Sequence, residues 1–156
     1  MTKDNITFVD GDVTKPIGNG KKYIVHCCND LGLWGKGVVL AISNRWATPE
    51  RDYKSAITRG AKLGDIQVVY CEDEIYVVNL IGQHGVINKH NPIPIKYPAI
   101  RIGLKKIKAL LFSEGGSIHI PDMIGCGLAG GDRNEMIQII KEELAGINVF
   151  VYRFKK

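Results

Sequence analysis

Two glycine clusters are the parts of this sequence whose composition and position could carry chemistry. Each follows an apolar run that predicts a strand and precedes a segment with helical periodicity. In that position, backbone N–H groups and the first turn of a helix can surround phosphate oxygens. Either cluster alone could be a simple turn, but two in one small chain favour a diphosphate site. The clusters are Gly32, Gly35 and Gly37 in NDLGLWGKG, and Gly125, Gly127, Gly130 and Gly131 in GCGLAGG.

Neither cluster fits the common nucleotide-binding motifs. No G-K-[ST] closes either loop, so neither is a P-loop. The letters G-C-G-L-A-G match a dinucleotide motif, but the acidic residue expected about 20 residues later, after a second strand, is missing.

Two histidines and one aspartate are candidates for a reaction at a phosphate. His26 lies in the apolar run YIVHCC, and His84 follows the apolar run that ends in NLIG. An imidazole at a strand end can be a general acid or a nucleophile toward phosphorus. A strand histidine can equally be a hydrogen-bonded core residue, and His84 could simply face solvent. Asp132 could orient a water molecule or cap the helix that follows it.

The composition is that of a globular domain. The 156 residues are 45% hydrophobic and 24% charged, which excludes a disordered chain. No apolar run approaches the roughly 18–20 residues of a membrane span, and the polar N-terminus does not resemble a signal peptide. We therefore expect a cytoplasmic protein, without a membrane partner, whose four cysteines are free thiols.

The net charge of +5 suits an anionic partner. A phosphate-rich small molecule and nucleic acid both meet that description, and an ordinary solvated basic surface is the alternative. Nucleic acid is disfavoured because no basic and aromatic motif typical of RNA-binding domains is present. The sequence shows no metal-ligand spacing, and we expect neither a metal nor a cofactor.

The order of elements predicts one domain over residues 1–156. Strands alternate with helices, which favours an α/β fold in which a central sheet lies between two helical layers. The runs Ile66–Cys71 and Ile75–Ile81 are separated by only three residues and predict a hairpin, so the sheet is expected to be mixed. We expect a monomer with this three-layer α/β/α architecture.

Three segments together resemble the macro domain family, whose members bind and process ADP-ribose. They are FVDGDV, VHCCNDLGLWGKGVVLAI and IPDMIGCGLAGGD, and the resemblance spans essentially the whole chain. The family has V-x-G-D-[IL] after its first strand, an Asn-ended strand running into a glycine loop, and a second G-x-G loop before its last helix. The stretch HCCNDLGLWGKGVV is most similar to the branch of ADP-ribose 1''-phosphate phosphatases and small deacylating ADP-ribosyl hydrolases.

The resemblance implies a role for each matching position. Asp12 would accept a hydrogen bond from the adenine amino group, Asn29 would bind the distal ribose, and the two glycine loops would cover the diphosphate. Tyr152 would pack near adenine. From the residues alone, Asp12 could be a turn aspartate, Asn29 an Asx-turn residue and Tyr152 a core aromatic. The ligand-binding residues implied are Asp12, Val13, Asn29, Trp34, Gly35, Lys36, Gly37, Val38, Gly125, Cys126, Gly127, Leu128, Ala129, Gly130 and Tyr152, and the catalytic ones are His26, His84 and Asp132.

Departures from the family pattern narrow the expected reaction. The deacylating hydrolases have a lysine after the fourth strand and an aspartate after G-C-G-L, where this chain has Gly82-Gln83 and Ala129. The resemblance therefore implies hydrolysis of ADP-ribose 1''-phosphate to ADP-ribose and phosphate. Two alternatives are a non-catalytic ADP-ribose-binding module and a hydrolase that removes ADP-ribose from macromolecules.

Overall fold

The computed structural model describes residues 5–125 and 130–154. The predicted alternation of strands and helices is confirmed. The strands are β1 (Ile6–Asp10), β2 (Lys22–Asn29), β3 (Ile66–Glu72), β4 (Ile75–Gln83), β5 (Ser117–Pro121) and β6 (Val149–Arg153). The helices are α1 (Val38–Arg45), α2 (Thr48–Thr58), α3 (Tyr97–Glu114) and α4 (Arg133–Glu143), and a short turn spans Asp122–Gly125.

The six strands form one mixed sheet in the order β1-β6-β5-β2-β4-β3. Every neighbouring pair is parallel except β3 and β4, which form the predicted antiparallel hairpin. Its turn residues Asp73 and Glu74 both have positive φ, as the two-residue turns that match strand twist require. Because the other strands are parallel, the carboxyl ends of β1, β6, β5, β2 and β4 lie along one edge.

Two hydrophobic clusters cover the two faces of the sheet, which confirms the α/β/α layers. On one face, the buried side chains of α3 and α4, such as Leu104 and Ile139, pack against the sheet. On the other face, α1 and α2 contribute buried residues such as Ile42 and Tyr53. Among the described residues, no helix has the length and apolar character needed to cross a membrane.

Close packing between α3 and β4 depends on a glycine in the middle of the helix. A Cβ atom on Gly103 would lie 2.4–2.9 Å from Cγ, Cδ1 and Cδ2 of Leu80, which is fully buried. The helix axis can approach the sheet this closely only without a side chain at position 103. This contact fixes α3 against the strand whose carboxyl end reaches the cavity described below.

We expect Gly103→Ala to destabilise the fold despite the better helix propensity of alanine. Overpacking a core costs about 1–3 kcal/mol, and three contacts below 3 Å place this site near the upper end. The propensity gain of about 1 kcal/mol offsets part of that cost. Chemical denaturation should therefore show a loss of about 1–2 kcal/mol in unfolding free energy. Gly35→Ala is the control, since a Cβ there has no neighbour within 4 Å; equal stability of both variants would contradict the packing argument.

Candidate functional site

A cavity of about 1140 Å³ runs along the carboxyl edge of the sheet. Its wall includes residues at the ends of β1, β6, β5, β2 and β4. Five neighbouring strands are separated by four spacings of about 4.8 Å, so the cavity extends over roughly 19 Å. In α/β sheets, ligands bind at this edge. The wall residues are Gly11, Asp12, Val13, Cys27, Cys28, Asn29, Leu33, Trp34, Gly35, Lys36, Gly37, Val38, Val39, Ala41, Asn44, Gln83, Val86, Ile87, Pro121, Asp122, Gly125, Tyr152 and Phe154.

The loop after β2 is held in place by the side chain of Asn29. Its Oδ1 accepts hydrogen bonds from the N–H groups of Leu31 (2.9 Å) and Leu33 (3.1 Å), and its Nδ2 donates to the carbonyl of Leu33 (2.8 Å). The hydroxyl of Tyr53 on α2 lies 2.6 Å from the Asn29 carbonyl and 3.0 Å from the N–H of Gly32. Asn29 lines the cavity, but its amide forms the Asx-turn that was the alternative interpretation.

Trp34 and Gly37 complete the first wall of the cavity. The indole Nε1–H of Trp34 donates to Ser43 Oγ at 2.7 Å, which fixes the ring against α1. Gly37 is the N-cap of α1 with φ of 78°, a conformation that glycine adopts without steric cost. The first N–H groups of α1 have no acceptor within the helix. The helix begins at Val38, which lines the cavity. The predicted residues of this loop, from Trp34 to Val38, therefore lie together on the cavity wall.

The second loop begins with three consecutive residues in the left-handed region. Met123, Ile124 and Gly125 have φ of 57°, 52° and 80°, a conformation that costs a β-branched residue such as isoleucine about 1–3 kcal/mol. This turn brings Gly125 to the cavity, where a Cβ atom would lie 3.1 Å from Val38 Cγ1. Gly130 instead contacts the backbone of Pro92 and Ile93. The predicted residues Cys126, Gly127, Leu128 and Ala129 lie outside the described residues.

Asp12 and two aromatic residues form the β1–β6 end of the cavity. Oδ1 of Asp12 accepts from the N–H (2.9 Å) and the hydroxyl (2.7 Å) of Thr14. Oδ2 has no hydrogen-bond partner in the part of the chain that is described. Val13 and Tyr152 are buried in the wall, and Phe154, which is 71% exposed, lies at the mouth.

A buried chain of hydrogen bonds fixes the ring of Tyr152. Its hydroxyl accepts from the N–H of Ile17 at 3.0 Å and is hydrogen-bonded to Nδ1 of His119 at 2.7 Å. Nε2 of His119 is hydrogen-bonded to Ser117 Oγ at 2.8 Å. Burial, aided by the charge of Lys22, lowers the pKa of His119 to about 4, so the ring is neutral in this chain.

His26 does not reach the cavity. Its ring is fully buried beneath the wall, where Nε2 lies 2.6 Å from Oδ1 of Asn79 and the ring meets Trp34 edge-on at 5.3 Å. Burial lowers the pKa of His26 to about 4, although the hydrogen bond to Asn79 opposes this shift. A neutral, enclosed imidazole cannot protonate a ligand, so the position corresponds to a core histidine.

Asp132 is the N-cap of α4, as its alternative interpretation predicted. Its carboxylate accepts from the N–H of Glu135 at 3.0 Å, and it is not part of the cavity wall. His84, by contrast, stands at the β4 end of the cavity with a 67% exposed side chain. Its neighbour Gln83 and the nearby Val86 both line the cavity.

His84 forms a hydrogen-bonded pair with Asp30, the residue that follows β2. Its Nδ1 lies 2.7 Å from Oδ2 of Asp30, whose Oδ1 accepts from the N–H of Gly85 at 2.8 Å. Burial alone would raise the pKa of Asp30, but the Gly85 N–H and the His84 imidazole bring it below its ordinary value. Asp30 is therefore ionised at neutral pH and Nδ1 must carry the proton.

Comparison with known proteins assigns the family. A protein of unknown function from Bacteroides thetaiotaomicron has 45% sequence identity and a TM-score of 0.89, over 94% of this chain and 96% of that one. A macrodomain protein from Streptomyces coelicolor has 40% identity and a TM-score of 0.82, over 95% of this chain and 98% of that one. The chain belongs to the macrodomain family. No family model matches the sequence.

Other relatives of this macrodomain are longer proteins or more distant ones. Mouse chromodomain-helicase-DNA-binding protein 1-like is 31% identical over the whole chain, which spans 18% of that protein. The ADP-ribose 1''-phosphate phosphatase of Saccharomyces cerevisiae is 37% identical over 49 residues, 31% of this chain and 27% of that one. DarTG of Thermosipho africanus, solved with ADP-ribose, shares the fold with a TM-score of 0.75 at 17% identity, over 98% of this chain and 42% of that one.

Sequence reasoning missed Gln83 and Phe154, which line the cavity, and Asp30, which pairs with His84 beside it. Asp30 and Gln83 each stand at or just after the end of a parallel strand, and Phe154 follows the last strand; those positions were the available signal. One expectation about cysteines is wrong, because Cys27 is disulfide-bonded while Cys28 and Cys71 are free. Among the described residues, no group of three or more His, Cys, Asp or Glu side chains could hold a metal ion.

We expect the macrodomain to lose stability as the pH falls from about 6.5 to 4. The buried ring of His26 has a pKa of about 4 in the folded state and about 6.5 in the unfolded chain, so only the unfolded state takes up a proton in this window. The contribution of neutral His26 to the free energy of unfolding is complete above pH 6.5. It decreases by up to about 3 kcal/mol as the pH falls to 4. Urea unfolding at several pH values measures this slope.

His26→Gln should reduce the dependence of unfolding free energy on pH, whatever its effect on stability at pH 7. The dependence should not vanish, because buried His119 also has a pKa of about 4 and contributes in the same window. His90→Gln is the control, because His90 is exposed and its replacement should leave the slope unchanged. A His26→Gln protein with the wild-type slope would show that another group causes the acid sensitivity.

Proposed function

We propose that this macrodomain binds ADP-ribose along the cavity and hydrolyses ADP-ribose 1''-phosphate to ADP-ribose and phosphate. The observation that carries the proposal is the continuity of the cavity across five strand ends, with a carboxylate and aromatic rings at one end and the β2 and β4 ends at the other. ADP-ribose carries a base, a diphosphate and a second ribose in the same order as the features of the cavity that would bind them.

The adenine base would occupy the β1–β6 end. Its amino group is a donor, and Oδ2 of Asp12 is an acceptor that Thr14 leaves available. Tyr152 and Phe154 supply aromatic surface at the same end, and stacking on a base contributes about 1–3 kcal/mol. The hydrogen-bond chain through His119 keeps the Tyr152 ring in one orientation.

The diphosphate would lie between the two glycine loops in the middle. Residues Gly35 to Val38 and Gly125 face this part of the cavity, and the N-terminus of α1 begins there. Helix N-termini bind anions through free N–H groups and the helix dipole. Lys36 is the one cation of the described cavity wall, so backbone donors would provide most of the phosphate contacts.

The distal ribose would lie beside Asn29 and Gln83, at the β2 and β4 ends. The 1''-phosphate would then extend toward the rim formed by the segment after β4. The partial match to the yeast ADP-ribose 1''-phosphate phosphatase supports a substrate that carries a phosphate at this position.

One observation favours a second candidate, removal of ADP-ribose from a modified macromolecule. Leu31, Leu33 and Ile87 at the same end of the cavity are 56%, 54% and 49% exposed. A free phosphate gains nothing from an aliphatic rim, whereas a polypeptide attached to the distal ribose could pack against it.

The deciding experiment measures two products from two substrates. Inorganic phosphate is measured with ADP-ribose 1''-phosphate, and free ADP-ribose is measured with an ADP-ribosylated protein. Phosphate release alone would support the proposal, and ADP-ribose release alone would support the second candidate. Tight calorimetric binding of ADP-ribose without either product would leave a binding module. Absence of binding would refute the assignment of the cavity.

We expect Asp12→Asn to change the base preference of the site. The amide keeps an oxygen for Thr14 but presents an N–H₂ group where adenine needs an acceptor. ADP-ribose should bind about ten-fold more weakly, since a stranded hydrogen bond costs about 1–3 kcal/mol. The analogue with a 6-oxo purine, which has an acceptor at that position, should lose less affinity or gain some.

Asp10→Asn is the matched control in calorimetry with both ligands. Asp10 is the last residue of β1, two residues before Asp12, but it forms an ion pair with Arg153 and is not part of the cavity wall. Its replacement should leave both affinities unchanged. If Asp12→Asn also leaves both unchanged, the base does not bind at this end.

A further inference from the structure

We propose that His84, oriented by Asp30, is the general acid of this macrodomain and protonates the oxygen that leaves the distal ribose phosphate. The inference rests on the proposed phosphatase function and assigns its reacting group. The geometry that carries it is a histidine–carboxylate pair that directly follows the cavity residues Asn29 and Gln83, at the end opposite Asp12. Neither Asp30 nor His84 is itself part of the cavity wall.

The pair has the arrangement of an oriented acid–base group. Asp30 accepts from Nδ1 of His84, which leaves Nε2 as the ring nitrogen that can exchange a proton with a ligand. Nε2 has no partner in the described part of the chain, and the side chain is 67% exposed. His26, the other histidine near this region, is enclosed and neutral and cannot take this role.

Asp30 is itself held firmly, so the orientation of His84 is defined. Its second oxygen accepts from the N–H of Gly85, and its own N–H donates to the carbonyl of Gln83 at 3.0 Å. The carbonyl of His84 accepts from Nδ2 of Asn91, and its N–H donates to the carbonyl of Pro94. Backbone and side chain of His84 are thus fixed between the ends of β2 and β4.

The position of the pair matches the place where the bond would break. Asn29 and Gln83 line the cavity, and they directly precede Asp30 and His84 in the chain. With adenine at Asp12 and the diphosphate between the glycine loops, the distal ribose reaches these two residues. Its 1''-oxygen and phosphate then extend over the rim toward Nε2.

The step balances with water as the co-reactant. The oxygen of water forms a bond to phosphorus while the bond between phosphorus and the 1''-oxygen breaks. The electron pair of that bond goes to the ribose oxygen, which takes a proton from Nε2 of the His84 imidazolium. The proton that water gives up returns to the imidazole, and ADP-ribose and phosphate leave.

The test compares phosphate release from ADP-ribose 1''-phosphate with calorimetric affinity for ADP-ribose. We expect His84→Ala to release phosphate about 10²–10⁴-fold more slowly, as loss of a general acid does, with ADP-ribose affinity within about three-fold. Because His84 is exposed, added imidazole should enter the vacated space and restore part of the rate. Asp30→Asn should lower kcat while ADP-ribose affinity changes little, which identifies Asp30 as a positioning residue.

His90→Ala is the control, since His90 is an exposed histidine of the same segment that the proposal does not use; it should retain wild-type phosphate release. Near-normal turnover by His84→Ala would overturn the role of the pair while leaving the phosphatase function intact. A parallel loss of turnover and of ADP-ribose affinity would also overturn it, because that result indicates binding or folding. A wild-type protein that binds ADP-ribose but releases no phosphate would overturn both proposals.

Discussion

The hydrogen bonds between Asn29, Tyr53 and the backbone of residues 29–33 set the shape of the site. A central parallel strand that ends at a cavity must find partners for the peptide groups of the loop that follows, because buried unpaired groups cost about 1–3 kcal/mol each. Asn29 supplies an acceptor for two N–H groups and a donor for one carbonyl, and Tyr53 supplies a hydroxyl from α2. The glycine loop is thereby tied to both the sheet and the helical layer.

This arrangement leaves the peptide groups farther along the loop available for a ligand. Two of the three residues from Gly35 to Gly37 have no side chain, and α1 begins immediately after them. Asn29 holds the start of the loop rigid, and the peptide N–H groups at the N-terminus of α1 lie beside the cavity. This arrangement suits an anion that is bound mainly by backbone groups and little by charged side chains. The short supply of cations in the wall is consistent with recognition by backbone dipoles.

The sequence predicted the layers, the hairpin and several residues that meet at the cavity, because these depend on local patterns. Alternating apolar runs and glycine clusters are visible without any contact information. The sequence could not show whether a polar side chain on a strand contacts a ligand or forms hydrogen bonds within the protein. Asn29 was expected to face the ligand but binds its own loop, and His26 was expected to face the ligand but pairs with Asn79 on the neighbouring strand. Asp30 went unnoticed because its importance comes from His84, 54 residues away.

Hydrogen bonds join the two ends of the segment between β4 and α3, so the middle of the segment can vary in sequence without a change in the strands. His84 and Lys96 bond through their N–H groups to the carbonyls of Pro94 and Gly82, and Asp30 holds the first turn. Residues 86–91 project beyond that closure and contribute Val86 and Ile87 to the cavity rim. Insertions or exchanges in this projecting part need not disturb the strand ends. The residues at this part of the cavity rim can thus change while the sheet and the other walls of the cavity keep their places.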